Sequence, residues 1–221
     1  MLAASAPLLY LITDGLTNAG TTPNSRAFAR LLSLIETAVA LGLDLVQIRE
    51  KDLTARTLFE LACRAAALTR GSATRLLINE RADLARAAGA DGAHLTTTSL
   101  NTEIVRRTFG PEFLIGVSTH SLAEARAAQT GGADFIVFGP VFATPSKHVY
   151  GPPAGVEKLA EVVCAVNPLP VLALGGITLA NAPQVLTTGA AGWAGISLFN
   201  DPKRLSATVD RLTGFGRKAA L

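Results

Sequence analysis

Only two cysteines, Cys63 and Cys164, occur in 221 residues, far apart and each inside a helix-like stretch. That excludes a disulfide framework and a cysteine-rich zinc module, and both are expected to be buried, reduced thiols of a cytoplasmic protein. No apolar run reaches the ~18 residues that a membrane span needs. Met1 to Pro7 lack a charged start and a long apolar stretch, so no signal peptide is expected. An excess of one charge is missing too: 20 Lys and Arg stand against 17 Asp and Glu, net +3, without a basic run. Neither a nucleic-acid face nor a membrane partner follows from such a balance. Also absent are a P-loop lysine motif, a nucleophile elbow and a Cys/His metal cluster.

What the chain has in quantity is apolar residue, 49% of the total, enough for one domain with a large core. The pattern alternates throughout. Short β-rich runs at Leu8–Thr13, Leu43–Arg49, Arg75–Asn79, Gly92–Leu95, Phe113–Ser118, Phe135–Gly139, Val171–Leu174 and Gly192–Ser197 read as eight buried parallel strands. Between them lie stretches of helical spacing such as Phe28–Leu41, Ala55–Thr69, Leu122–Gly131, Val156–Val166 and Leu179–Thr188. Eight strand–helix units in so short a chain make a single α/β domain, a (β/α)₈ TIM barrel, the economical fold. Its core is expected over about residues 8 to 200, with a C-terminal helix to about residue 218. A doubly wound open sheet is the alternative on pattern alone. A weak echo, Gly89–Asp91, Gly132–Asp134 and Gly189–Ala191, precedes strands where helices end, and the glycines read as helix C-caps.

In such a barrel, chemistry sits where strands end and loops begin. After the second strand, alternation sends Gln47, Arg49 and Lys51 to one side, where two cations and an amide suit a polyanion such as a diphosphate. The competing reading is a solvated strand end with a Glu50 salt bridge. Asn79-Glu80-Arg81 follows the third strand. Glu80 there could hold Mg²⁺, an ion that takes oxygen ligands and substrate phosphates, or simply complement a helix N-terminus. The loop Thr96-Thr97-Thr98-Ser99 offers only hydroxyls. After the fifth strand, Ser118-Thr119-His120-Ser121 places a proton-shuttling imidazole in a polar loop. Alternatively, Ser121 caps a helix and His120 merely packs. His94, inside a strand, suits a satisfied core role.

The long loop Gly139 to Lys147 carries Thr144, Ser146 and Lys147, which resemble an anion clamp, and could act as a lid. Gly175-Gly176 after the seventh strand and Ile196-Ser197 after the eighth combine backbone N–H groups with the positive ends of following helices, a phosphate site of this fold.

These residues resemble the thiamine phosphate synthase family. Leu9-Tyr10-Leu11-Ile12-Thr13-Asp14, Val46 to Lys51, Gly89 to Leu95, Gly116 to Ser121, Gly139 to Lys147 and Ala173 to Ile177 carry the likeness in order, from about residue 8 to 200. The resemblance implies an enzyme that couples a pyrimidine methyl diphosphate to a thiazole phosphate, releasing diphosphate. It implies that Gln47, Arg49, Lys51 and Asn79 meet the pyrimidine diphosphate, that Ser118 and Lys147 contact diphosphate oxygens, and that Thr144, Ser146, Gly176, Ile196 and Ser197 hold the thiazole phosphate. Two departures stand out. Synthases usually read Asn-Asp-Arg where this chain has Asn79-Glu80-Arg81, and an acidic second Mg²⁺ ligand where it has Ser99. The family also includes TenI-like proteins, one branch of which is a thiazole tautomerase whose acid/base histidine matches His120. Synthase and tautomerase therefore both stay open. So do another phosphate-binding barrel enzyme and a non-catalytic ligand-binding or regulatory protein. The implied partners are small phosphorylated substrates, and a homo-oligomer is compatible with them.

Overall fold

Why eight strands close on themselves follows from how little polar surface they carry. In the computed structural model, which describes residues 7–144 and 152–219, each apolar run becomes a short parallel strand. They are β1 (Leu8–Ile12), β2 (Leu45–Ile48), β3 (Arg75–Asn79), β4 (Gly92–Leu95), β5 (Leu114–Thr119), β6 (Phe135–Phe138), β7 (Val171–Ala173) and β8 (Gly192–Gly195). Each pairs with the next, and β8 pairs with β1, so the sheet is a closed barrel rather than an open one. The helices are α1 (Arg26–Ala40), α2 (Ala55–Thr69), α3 (Ala82–Ala88), α4 (Thr102–Phe109), α5 (Leu122–Thr130), α6 (Gly155–Val166), α7 (Ala182–Leu186) and α8 (Leu205–Ala219). Strand ends fall one or two residues inside several of the expected limits. The most consequential is β2, which stops at Ile48.

Period-two alternation then divides the core. Outward residues such as Leu9, Leu11, Val46, Ile48, Leu76, Ile78, Ile115, Phe138 and Trp193 meet Phe28, Leu31, Leu61, Val105, Leu159 and Val185 of the helices. Inward, Leu8, Tyr10, Ile12, Leu45, Leu77, Phe135, Val137, Leu172 and Ala194 fill the barrel. Fully burying a large apolar side chain is worth about 1.5–3 kcal/mol, so these two layers dominate stability. Helix starts are fixed locally: Ser25, Thr54, Asn101 and Ser121 each accept a backbone N–H of the first turn. Ser121 therefore does cap α5.

The echo before the strands has a mechanical meaning that glycine alone does not explain. Gly89 is the left-handed cap of α3, at φ 74°. Gly132 and Gly189 are also left-handed but lie beyond the caps, which are Gly131 and Thr187. The aspartates do more. Asp91 accepts from Leu76 N at 2.8 Å, and Asp134 from Ile115 N at 2.7 Å. Asp44, in the same place before β2, accepts from Leu9 N at 2.8 Å. Each carboxylate thus staples the start of one strand to its neighbour. Before β8 the equivalent residue is Ala191.

The cysteines depart from expectation. Both are free, but Cys63 on α2 is half-buried and Cys164 on α6 is exposed, because each sits off the helix's core-facing stripe.

Candidate active site

The inward positions become polar toward the C-terminal ends of the strands. Gln47 is buried, at 1% exposure, and its Nε2 donates to Asn79 Oδ1 at 3.0 Å. Asn79 Nδ2 donates in turn to Glu80 Oε2 at 3.0 Å. Two adjacent strands therefore present a connected amide pair to the barrel interior. Arg49 and Lys51 do not continue the strand alternation, because β2 has ended. Instead, Arg49 N donates to Thr13 Oγ1 at 2.8 Å, and its guanidinium lies beside Gly15. Lys51 is exposed and faces Glu80 across a cavity of about 220 Å³ that Asn79 and Arg81 also line. Glu50 makes no salt bridge with another described residue. It is buried and accepts from Gly15 N, Thr17 N and Thr17 Oγ1, so it organises the loop after β1.

Glu80 is held in an uncommon conformation, φ 60°, a region that costs a non-glycine residue energy and persists only where its surroundings impose it. Here those surroundings are hydroxyls. Oε1 accepts from Thr96 Oγ1 at 2.7 Å, Ser99 Oγ at 3.3 Å and Thr98 Oγ1 at 3.4 Å. The Thr96 hydrogen bond, followed by the charge of Lys51 and the bonds from Ser99 and Asn79, holds this carboxyl below the usual carboxylate range. The donor set fits a resident Mg²⁺ poorly. Among the described residues no three His, Cys, Asp or Glu gather to hold a metal, and the two carboxylates that line this recess, Glu80 and Glu50, are already engaged by neutral donors.

Below the amide pair lies a buried polar core group. His94 has 2% exposure; its Nε2 is 2.8 Å from Ser118 Oγ and its Nδ1 3.2 Å from Tyr10 Oη. Burial drives the His94 pKa down to about 3. Ser118 is half-buried above it. His120, just beyond β5, has its backbone N–H tied to Glu124 Oε2 at 2.6 Å and Nδ1 at 2.5 Å from the Gly139 carbonyl. An imidazole that donates from Nδ1 carries its basic lone pair on Nε2 when neutral.

On the far side of the barrel, a cleft of about 50 Å³ is lined by Thr144, Gly175, Gly176, Ile177, Ile196 and Ser197. A β-carbon on Gly176 would lie 2.4 Å from Ala143 O, and its φ is 63°, so only glycine fits under the loop after β6. Phe142 N and Val141 N pair with Gly175 O and Leu174 O and dock that loop onto the cleft. The N–H groups of Gly176, Ile177, Ile196 and Ser197 make no hydrogen bond to another described residue. Two braces were not read from the sequence. Asn181 Nδ2 holds Gly176 O at 2.9 Å, and Asn200 Nδ2 holds Ile12 O and Ile196 O at 2.6 and 2.7 Å. The Thr178-x-x-Asn181 spacing was the available signal for the first. The expected helix dipoles do not apply here: α7 spans only five residues from Ala182, and α8 begins at Leu205, well past Ser197. Ser146 and Lys147 lie outside the described residues.

These features define a (β/α)₈ barrel with two recesses at one mouth, one at the ends of β2 and β3 and the other at the ends of β7 and β8. Residues 9–199 match the family model described as "Thiamine monophosphate synthase", and the chain belongs to that family. It is 49% identical over 196 residues to a "Putative thiamine-phosphate synthase" of Geobacter sulfurreducens, covering 88% of this chain and 87% of the relative. It is 40% identical to the "Thiamine-phosphate synthase" of a Roseiflexus species, over 86% and 77% of the two chains. Among solved structures it resembles the thiamine phosphate pyrophosphorylase of Pyrococcus furiosus, with a TM-score of 0.80, 30% identity and 96% of each chain covered. No helix among the described residues is long and apolar enough to cross a membrane.

Proposed function

We propose that this chain is a thiamine phosphate synthase: it joins a pyrimidine methyl diphosphate to a thiazole phosphate and releases diphosphate. The observation that carries the reading is the pair of recesses across one mouth. A condensation of two phosphorylated substrates needs two anion sites, whereas a tautomerase needs one. In this reading Gln47 and Asn79 orient the pyrimidine, and Arg49 and Lys51 receive its diphosphate together with Ser118 and Lys147. The N–H groups of Gly176, Ile196 and Ser197, with Thr144 and Ser146, take the thiazole phosphate. Positive charge that grows on the pyrimidine methyl as its C–O bond breaks is matched by cations on the departing diphosphate. No step is assigned to Mg²⁺, since the carboxylates at this recess, Glu80 and Glu50, are already bonded to neutral donors.

A second reading, thiazole tautomerase, is favoured by one observation. His120 is oriented by Gly139 O so that Nε2 is the nitrogen that takes up a proton. The test is purified protein supplied with both synthase substrates and, separately, with the carboxythiazole phosphate, each with and without Mg²⁺. Thiamine phosphate formation supports the first reading. Its absence alongside turnover of the carboxythiazole phosphate overturns it.

A further inference from the structure

The polar group beneath the mouth is more than core filler. A phenol keeps its proton at any working pH, and burial pushes the Tyr10 pKa higher still. Tyr10 is fully enclosed, and among the described residues its hydroxyl has one neighbour that can accept, Nδ1 of His94 at 3.2 Å. If Tyr10 donates there, the neutral imidazole carries its hydrogen on Nε2, and that N–H points at Ser118 Oγ, 2.8 Å away. Ser118 then accepts from below, and its own hydroxyl hydrogen turns elsewhere. The reverse arrangement, with Nδ1–H donating to the phenol, leaves a buried phenolic hydrogen without an acceptor, which proteins avoid.

The packing holds this arrangement in place. The Tyr10, His94 and Phe135 rings lie 5.5 to 6.1 Å apart, centroid to centroid. Gly116 leaves the imidazole its space: a β-carbon there would sit 2.7 Å from His94 Nδ1 and 2.3 Å from Phe135 Cζ. With a pKa near 3, the imidazole stays neutral at physiological pH.

We infer that Tyr10 and His94 are positioning residues that fix the direction of one hydrogen-bond chain, so that Ser118 is presented to the mouth as a donor for a substrate anion. The phenol donates to Nδ1, Nε2–H donates to Ser118 Oγ, and Ser118 Oγ–H is left for the ligand. The inference rests on the synthase reading only for the identity of that anion.

Two measurements on the full-length protein test it. In the first, two-bond ¹⁵N–¹H correlation spectra of the labelled wild type report the His94 tautomer directly. The expected result is a neutral ring protonated on Nε2, drifting to a mixture of tautomers in Tyr10→Phe. A wild-type ring protonated on Nδ1 overturns the inference, whether or not the protein is a synthase. In the second, calorimetry with inorganic pyrophosphate compares wild type, Tyr10→Phe, Ser118→Ala and the double variant. Each single change should weaken binding by about three- to tenfold, the scale of one neutral hydrogen bond. Tyr10→Phe should add nothing once Ser118 is alanine. Independent, multiplying losses refute the chain. If the wild type binds no pyrophosphate, the synthase reading fails, and the spectrum alone decides the chain.

Discussion

Acid should expose the cost of keeping His94 neutral. Its folded-state pKa is about 3, against an ordinary value of 6.5, and the first cause is burial, partly offset by the charge of Glu80. The folded state therefore binds fewer protons than the unfolded state. The contribution is fully present above about pH 6.5 and is lost as pH falls below that value toward 3. Each pH unit in that window costs about 1.4 kcal/mol, so moving from about pH 7.5 to pH 5 should remove about 2 kcal/mol. That is a large share of the 5–15 kcal/mol typical of a domain, by the general scale. Urea unfolding at both pH values measures it in the wild type and in His94→Gln, which cannot titrate. Other groups contribute equally to both proteins, so the difference between them isolates the histidine. The pH-dependent loss should shrink by about 2 kcal/mol in His94→Gln. Equal losses in the two proteins would mean that His94 is protonated in the fold, and the buried neutral ring would have to be abandoned.

Gly176→Ala should raise the KM for thiazole phosphate more than tenfold and lower stability by about 1–3 kcal/mol, because a β-carbon at φ 63° collides with Ala143 O. Unchanged KM in steady-state assays would remove the glycine cleft from binding. His120→Gln should cut carboxythiazole turnover, if present, by about 10²–10⁴-fold, while leaving thiamine phosphate formation nearly intact. Equal losses in both assays would assign the histidine to structure. Calorimetry of Mg²⁺ alone should show weak binding to the wild type and at least severalfold tighter binding to Ser99→Asp, which would restore a second carboxylate beside Glu80. Tight wild-type binding would contradict the reading of Glu80 as saturated by hydroxyls.

The barrel was legible because its strands are buried on both faces and its helices on one. Runs such as Phe135–Phe138 and stripes such as those of Ala55–Thr69 therefore have periods that a sequence displays. The glycine cleft was legible as a motif, but its reason was misplaced. Gly176 is required by the carbonyl of Ala143, a contact made through the fold, and the dipoles invoked for α7 and α8 depended on helix starts that local pattern does not fix. Gln47 was legible as an amide beside two cations at a strand end, and Asn79 only through the family resemblance. Their mutual hydrogen bond was not, since register between β2 and β3 is a tertiary fact. Lys51 was assigned to the wrong alternation because nothing in Glu50-Lys51 announces that β2 ends at Ile48. Tyr10 reads as an ordinary core aromatic until its hydroxyl is seen against His94.

The aspartate staples divide the barrel into four strand pairs. Asp44, Asp91 and Asp134 lock the pairs that begin with β1, β3 and β5, and a register slip in any of them would break a carboxylate-to-amide bond as well as misdirect the inward residues. The β7–β8 pair has Ala191 in that place, and β7 is the shortest strand. Hydrogen exchange should therefore find its cheapest sub-global opening in this quarter, well below the cost of global unfolding. The same quarter carries the glycine cleft at its other end. A ligand seated there would close the least tethered part of the ring, so occupancy should slow amide exchange in β7 and β8 more than in the three stapled pairs.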